Sequence, residues 1–65
     1  MRINLNGSPV ETTSCSLSDL VAEKGLNPLS LIVEYNYEVI KQASWGEIYI
    51  KDNDTIELLN FVGGG

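Results

Sequence analysis

The chain closes on Gly63, Gly64 and Gly65, and these three residues have the most distinctive chemical capacity in it. Glycine loses the most conformational entropy on ordering and has no side chain to bury, so three in a row at a terminus are not core. A backbone without side chains passes through a channel too narrow for any other residue. At full extension three residues reach about 10 Å, enough to carry a carboxylate from a folded body into another protein's active site. The α-carboxylate of Gly65 is ionised at neutral pH and a poor electrophile. Before a nucleophile can attack it, it needs activation, most simply as a mixed anhydride with AMP. Glycine leaves that carbonyl unhindered. A frayed end or a linker remnant would look similar, but the glycines follow a strongly patterned segment with no serine spacer.

That segment, Thr55-Ile56-Glu57-Leu58-Leu59-Asn60, alternates apolar with polar residues and reads as a β-strand. By the two-residue period, if Ile56 and Leu58 face the core, then Glu57, Leu59 and Phe61 face the other way. Exposed, Leu59, Phe61 and the adjoining Val62 form an apolar docking patch beside the root of the arm. Covered by a helix or a loop, Leu59 and Phe61 would simply be core. The sequence leaves both arrangements open.

The elements that must hold this strand are short. With 65 residues the chain is one small domain, residues 1–61, followed by a flexible tail, 62–65. A body of this size buries only about 60% of its unfolded surface. Its core is too thin to enclose a deep pocket, which argues against a self-sufficient enzyme. No apolar run approaches the length of a membrane span, and the first residues lack a signal-peptide core, so a cytoplasmic protein is expected. Nine acidic against four basic residues give a net charge of −5, which disfavours nucleic acid and anionic membrane as partners. An acidic surface instead steers towards a basic protein, besides keeping a small protein soluble.

Arg2 to Asn6 alternates as a first strand, and Asn6-Gly7 is the dipeptide of a type I′ hairpin turn. Pro9 suits the start or edge of the returning strand, expected near Val10 to Thr13. Ser16 is the expected N-cap of a helix, with Asp19 in the capping-box position and Leu17, Leu20 and Val21 as its buried stripe. Lys24 sits at the edge of that stripe, and Gly25 is the natural residue past the helix end. Leu31 to Tyr35 reads as a strand buried over most of its length, Asn36-Tyr37 as a turn, and Val39-Ile40 as a brief strand. Lys41 to Gly46 is expected as a loop or helical turn in which Trp45 packs as a lid. Ile48 to Ile50 is a further expected strand, and Asp52 to Asp54 a turn that bonds its own backbone. Hairpin, helix, then strands is an α+β order: one main helix on one face of a mixed sheet of four to five strands.

Other groups are less promising as chemistry. Cys15 precedes the expected helix start, but no histidine or second cysteine exists to work with it, and free cysteine is usually buried structure. The same count excludes a zinc site and an internal disulfide. Asp52, Asp54 and Glu57 lack the glycine and closing glutamate of a calcium loop and read as a solvated turn. Glu34, Glu38 and Glu47 read as a hydrated face. Tyr35, Tyr37, Trp45 and Tyr49 have no basic neighbours and read as core or rim, not as a base-stacking platform.

Taken together, Ile3-Asn4-Leu5-Asn6-Gly7, Val33-Glu34-Tyr35-Asn36, the Trp45 region, Asp52 to Glu57 and the ending Phe61 to Gly65 resemble the ThiS-type sulfur carrier proteins of thiamin biosynthesis, bacterial members of the ubiquitin-like β-grasp class. The resemblance covers the whole chain. It implies a β-grasp body and adenylation of Gly65 by an E1-like enzyme of the ThiF/MoeB type, at the expense of ATP. A sulfur-donating enzyme would then convert Gly65 to a thiocarboxylate for delivery to thiazole synthase. Gly63 and Gly64 would be the slim part of the arm. Catalytic groups and ATP would belong to the partners, so the chain is a carrier, not an enzyme, with no bound cofactor or metal. The small subunit of molybdopterin synthase shares fold, terminal glycines and thiocarboxylate chemistry but tends to be longer. A ubiquitin-like protein modifier would instead form isopeptide bonds, and a plain interaction module would ignore the tail.

Overall fold

The computed structural model describes residues 1–61, and the expectations placed on Val62, Gly63, Gly64 and Gly65 lie outside them. Five strands form one mixed sheet in the order β2-β1-β5-β3-β4. They are β1 (Arg2–Leu5), β2 (Ser8–Glu11), β3 (Leu31–Tyr35), β4 (Glu38–Ile40) and β5 (Thr55–Asn60). β1 and β5 run parallel in the centre, and every other pairing is antiparallel. One α-helix, α1 (Leu17–Glu23), supplies Leu17, Leu20 and Val21 to the core beneath the sheet. Two 3-10 turns, Pro28–Ser30 and Gln42–Glu47, complete the body.

Turn chemistry sets both hairpins. Asn6 and Gly7 have φ of 51° and 84°, and Asn36 and Tyr37 have φ of 50° and 74°. Two successive positive φ values give the turn the twist of its flanking strands. The returning strand starts at Ser8, two residues earlier than expected, because the tight turn closes directly onto it and Pro9 pairs with Asn4. Proline is tolerated there because β2 is an edge strand, with one side free of partners in the sheet.

The helix follows its sequence signals closely. Ser16 caps it, its hydroxyl accepting from the Asp19 backbone N–H at 3.2 Å. At the other end Gly25 has φ of 67°; its N–H donates to Ala22 O and that of Leu26 to Val21 O. This paired closure satisfies carbonyls that the helix itself leaves free. Buried Thr12 and Ser14 hydroxyls both donate to Glu23 Oε1, tying the incoming loop to the helix end. Those bonds, Ser14's first, hold the Glu23 carboxyl below its ordinary pKa.

Two expectations are corrected. Ile48 to Ile50 is not a sheet strand; Tyr49 makes an isolated bridge to Ser16, and Ile50 N–H reaches Cys15 O at 2.8 Å. The segment spends its backbone bonds on the approach to α1 instead, Ile48 O accepting the Leu17 N–H at 3.1 Å. β3 is not buried along its length either: Leu31 and Val33 are buried, whereas Ile32 is 39% exposed. Helix and loops cover one face of the sheet only, so an apolar run does not have two cores to enter. Trp45 does pack as expected, buried in the core with its indole N–H on Ile40 O at 2.9 Å.

Asp54 is also corrected, since it is a buried hub and not a solvated turn residue. Its carboxylate accepts from Lys51 N–H at 2.7 Å, the Tyr35 hydroxyl at 2.7 Å and the Asn36 amide at 3.2 Å. Asn36 in turn exchanges bonds with Thr55: its backbone N–H donates to Thr55 O, and its side-chain oxygen accepts the Thr55 N–H. The hub therefore fixes the entry of β5 against the end of β3. Burial alone would raise the Asp54 pKa, but the bonds from Lys51, Tyr35 and Asn36 outweigh it and the net shift is downward. For Tyr35, burial and the bond to Asp54 push the phenol above its ordinary value.

A carboxylate whose folded pKa lies below its unfolded one contributes stability above the unfolded value, and that contribution is lost as pH falls through the folded value. Asp54→Asn is expected to flatten the acid limb of urea-monitored stability below the ordinary aspartate pKa of 3.8. Asp54→Ala is expected to cost about 1–2 kcal/mol near neutrality, because it leaves three part-buried donors without their shared acceptor.

Candidate functional site

The site is the end of β5 and the sheet face from which its outward residues project. β5 lies between β1 and β3, hydrogen-bonded on both sides. Beyond the end of β1, the Asn6 side chain continues the ladder: its amide donates to Leu58 O at 3.3 Å and its oxygen accepts Leu58 N–H at 2.8 Å. On the other side Phe61 N–H donates to Ser30 O at 2.9 Å, and the Ser30 hydroxyl to Asn60 Oδ1 at 3.0 Å. The backbone is thus anchored up to the last described residue. Whatever follows Phe61 starts from a fixed point in the middle of the sheet.

Side-chain parity then separates the two faces. Ile56 is fully buried and Leu58 nearly so, packed with Ile3, Val33, Leu17 and Leu20. Leu59 and Phe61 point the other way and are 42% and 48% exposed. Neither the helix nor a loop covers them. Leu59 stands directly opposite Ile32 across β3, and Val39 on β4 extends the patch at 63% exposure. Ile32 and Val39 were absent from the expected patch. The available signal was parity: with Val33 inside, Ile32 has to be outside. Val39 had no signal of its own, since its face depends on the register of β4.

The remaining expected groups are dispersed. Cys15 is exposed, contrary to the usual burial of a free cysteine, because in the approach to α1 it alternates with Ser14 and Ser16, which are the buried ones. Tyr37 and Tyr49 are exposed, and Tyr35 is half-buried over the Asp54 hub. Among the described residues no group of three or more histidines, cysteines or carboxylates could hold a metal ion. No helix among them is long and apolar enough to cross a membrane. On the helical side an open hollow of about 370 Å³ lies between Val21, Ala22, Leu26, Pro28, Gln42 and Trp45. It is remote in the fold from the outward face of β5.

Comparison with known proteins agrees with this geometry. The ThiS family profile matches residues 3–65, almost the entire chain. The chain belongs to the ThiS family. It is 37% identical over 65 residues to the sulfur carrier protein ThiS of Bacillus subtilis, covering 97% of this chain and 98% of that one. The crystal structure of the thiamine biosynthesis protein ThiS from Geobacter metallireducens superposes with a TM-score of 0.84 at 32% identity, each chain covered in full. The architecture is accordingly the β-grasp of that family. A thiazole synthase of Magnetococcus marinus is 33% identical over 66 residues, all of this chain but only 20% of that protein. The chain thus spans about a fifth of that relative.

The parity of β5 has a measurable consequence. Leu58→Ala is expected to cost about 2–4 kcal/mol in urea unfolding, as for other buried leucines. Leu59→Ala, one residue away, is expected to cost less than about 1 kcal/mol.

Proposed function

We infer that this chain is a sulfur carrier of thiamin biosynthesis whose cargo is held as a thiocarboxylate on Gly65. The observation that carries the reading is the ThiS family match through to the terminal glycines, on a chain 37% identical to a named sulfur carrier over nearly its whole length. The anchored end of β5 and the apolar face beside it support the same reading. A carrier needs a rigid body for partners to grip and a slender end for them to transform.

In the proposed sequence an oxygen of the Gly65 carboxylate attacks the α-phosphorus of ATP in an E1-like adenylating enzyme, and pyrophosphate leaves. The acyl-adenylate is now an electrophile, and hydrosulfide released by a sulfur-donating enzyme attacks the carbonyl carbon, expels AMP and loses its proton. Sulfur ends in place of one oxygen, ready for transfer to a thiazole synthase. Similarity to part of a thiazole synthase chain supports that last recipient. Gly63 and Gly64 provide the thin arm, while Leu59, Phe61 and Val62 dock the body so that the arm is aimed. ATP and the catalytic groups reside in the partners, so this chain acts as a cosubstrate in the cytoplasm.

Two experiments test the reading. Incubation with ATP, the adenylating enzyme and a sulfur source is expected to add about 16 Da, oxygen exchanged for sulfur, as read by intact mass spectrometry. Removal of Gly65 is expected to abolish that gain while leaving the circular dichroism spectrum unchanged. Loading that persists without Gly65, or a much larger conjugated species, overturns the assignment. Phe61→Asp is expected to weaken binding to the adenylating enzyme by tenfold or more, on the order of a hot-spot loss, with the melting temperature nearly unchanged. A large fall in melting temperature would make Phe61 a structural residue.

A further inference from the structure

The outward face of the sheet sets two carboxylates directly against each other. Glu34 on β3 stands directly opposite Glu57 on β5. The backbone bonds Asn36 N–H to Thr55 O (2.7 Å) and Phe61 N–H to Ser30 O (2.9 Å) set the phase of this ladder. They place Glu34 and Glu57 in a hydrogen-bonded pair, with Cα atoms roughly 5.5 Å apart and both side chains on one face. Like charges directly opposite each other destabilise a sheet. Both glutamates are half-buried, which limits how far solvent relieves the repulsion.

Among the described residues no cation forms an ion pair with them. The Arg2 guanidinium is 3.0 Å from Glu11, the Lys24 ammonium is 3.8 Å from Glu23, and Lys51 Nζ donates to the Tyr35 hydroxyl. Lys41, just past β4, makes no ion pair among the described residues. Glu34 and Glu57 likewise have no ion pair and no side-chain hydrogen bond there. Towards β4 and the chain end the face is apolar: Val39 flanks Glu34 across β4, and the Ile32–Leu59 pair and Phe61 continue to the last described residue, whereas Thr55 and Asn4 make its β1 side polar.

We propose that the Glu34–Glu57 pair seats a cationic side chain of the protein that docks on this face. The partner surface it fits is apolar, with one arginine or lysine set about 13 Å, four strand residues, back from Phe61. Arginine suits the seat best, because its planar fork can bond both carboxylates at once. The apolar patch supplies area, and the carboxylate pair sets the register of docking along β5. The wrong register strands both charges against an apolar surface, so the pair selects the alignment that aims the tail. This proposal rests on the carrier reading and specifies the partner that the reading requires.

The test uses the full chain, the E1-like adenylating enzyme of the same organism, and Glu34→Gln, Glu57→Gln and Glu57→Lys variants. Each glutamine variant is expected to unfold at equal or higher urea concentration than the parent. Each is also expected to bind the enzyme about tenfold more weakly, with a shallower dependence on salt. Glu57→Lys forms an ion pair with Glu34 inside the chain, so it is expected to be the most stable and the weakest binder. Glutamine variants that bind as tightly as the parent, or that are clearly less stable, overturn the proposal. If the parent gains sulfur in the same assay while those variants bind normally, only the seat is lost and the carrier reading stands. If the parent neither binds nor gains sulfur, the carrier reading and the seat fall together.

Discussion

The alternation of β5 is the constraint on which the rest of this protein depends. As a strand bonded on both sides, it cannot rotate or slip without breaking two ladders at once. Ile56 and Leu58 must enter the single core beneath the sheet, and this obliges Glu57, Leu59 and Phe61 to face outward. A shift of one residue would exchange the two sets and place a carboxylate in the core. The register that makes the protein stable is therefore also the one that builds its outward surface.

Several interactions outside the sheet serve to hold that register. The Asp54 carboxylate gathers Lys51, Tyr35 and Asn36 where β5 begins, and Asn36 exchanges bonds with Thr55. At the other end Asn6 and Ser30 grip Leu58, Asn60 and Phe61. A strand of six residues in a small core has little apolar area with which to fix itself. Polar clamps at both ends supply the direction that burial, which is non-directional, does not.

This division of the molecule matches a carrier's task. On the proposed reading, the body has to be recognised by proteins that act on the chain's end and needs no pocket of its own. The helix and 3-10 turns cover one face of the sheet and leave the other to the solvent. The open face contains the exposed apolar residues Ile32, Val39, Leu59 and Phe61 together with two facing carboxylates, features that lower the value of the surface to an isolated chain. They acquire a purpose where another protein covers them.

Much of this was determined by the sequence itself, where a signal is local. The Asn6-Gly7 turn, the Ser16 cap, the Leu17-Leu20-Val21 stripe, the Gly25 closure and the parity of β5 all depend on neighbours within a few residues. The tertiary structure alone decided matters that depend on what lies across the sheet. It exposed Ile32 within an apolar run, withdrew Ile48 to Ile50 from the sheet, turned Asp54 from a solvated residue into a buried hub, and left Cys15 outside. It alone set Glu34 against Glu57, because two residues 23 positions apart become neighbours only through strand register, a long-range property that no local pattern encodes.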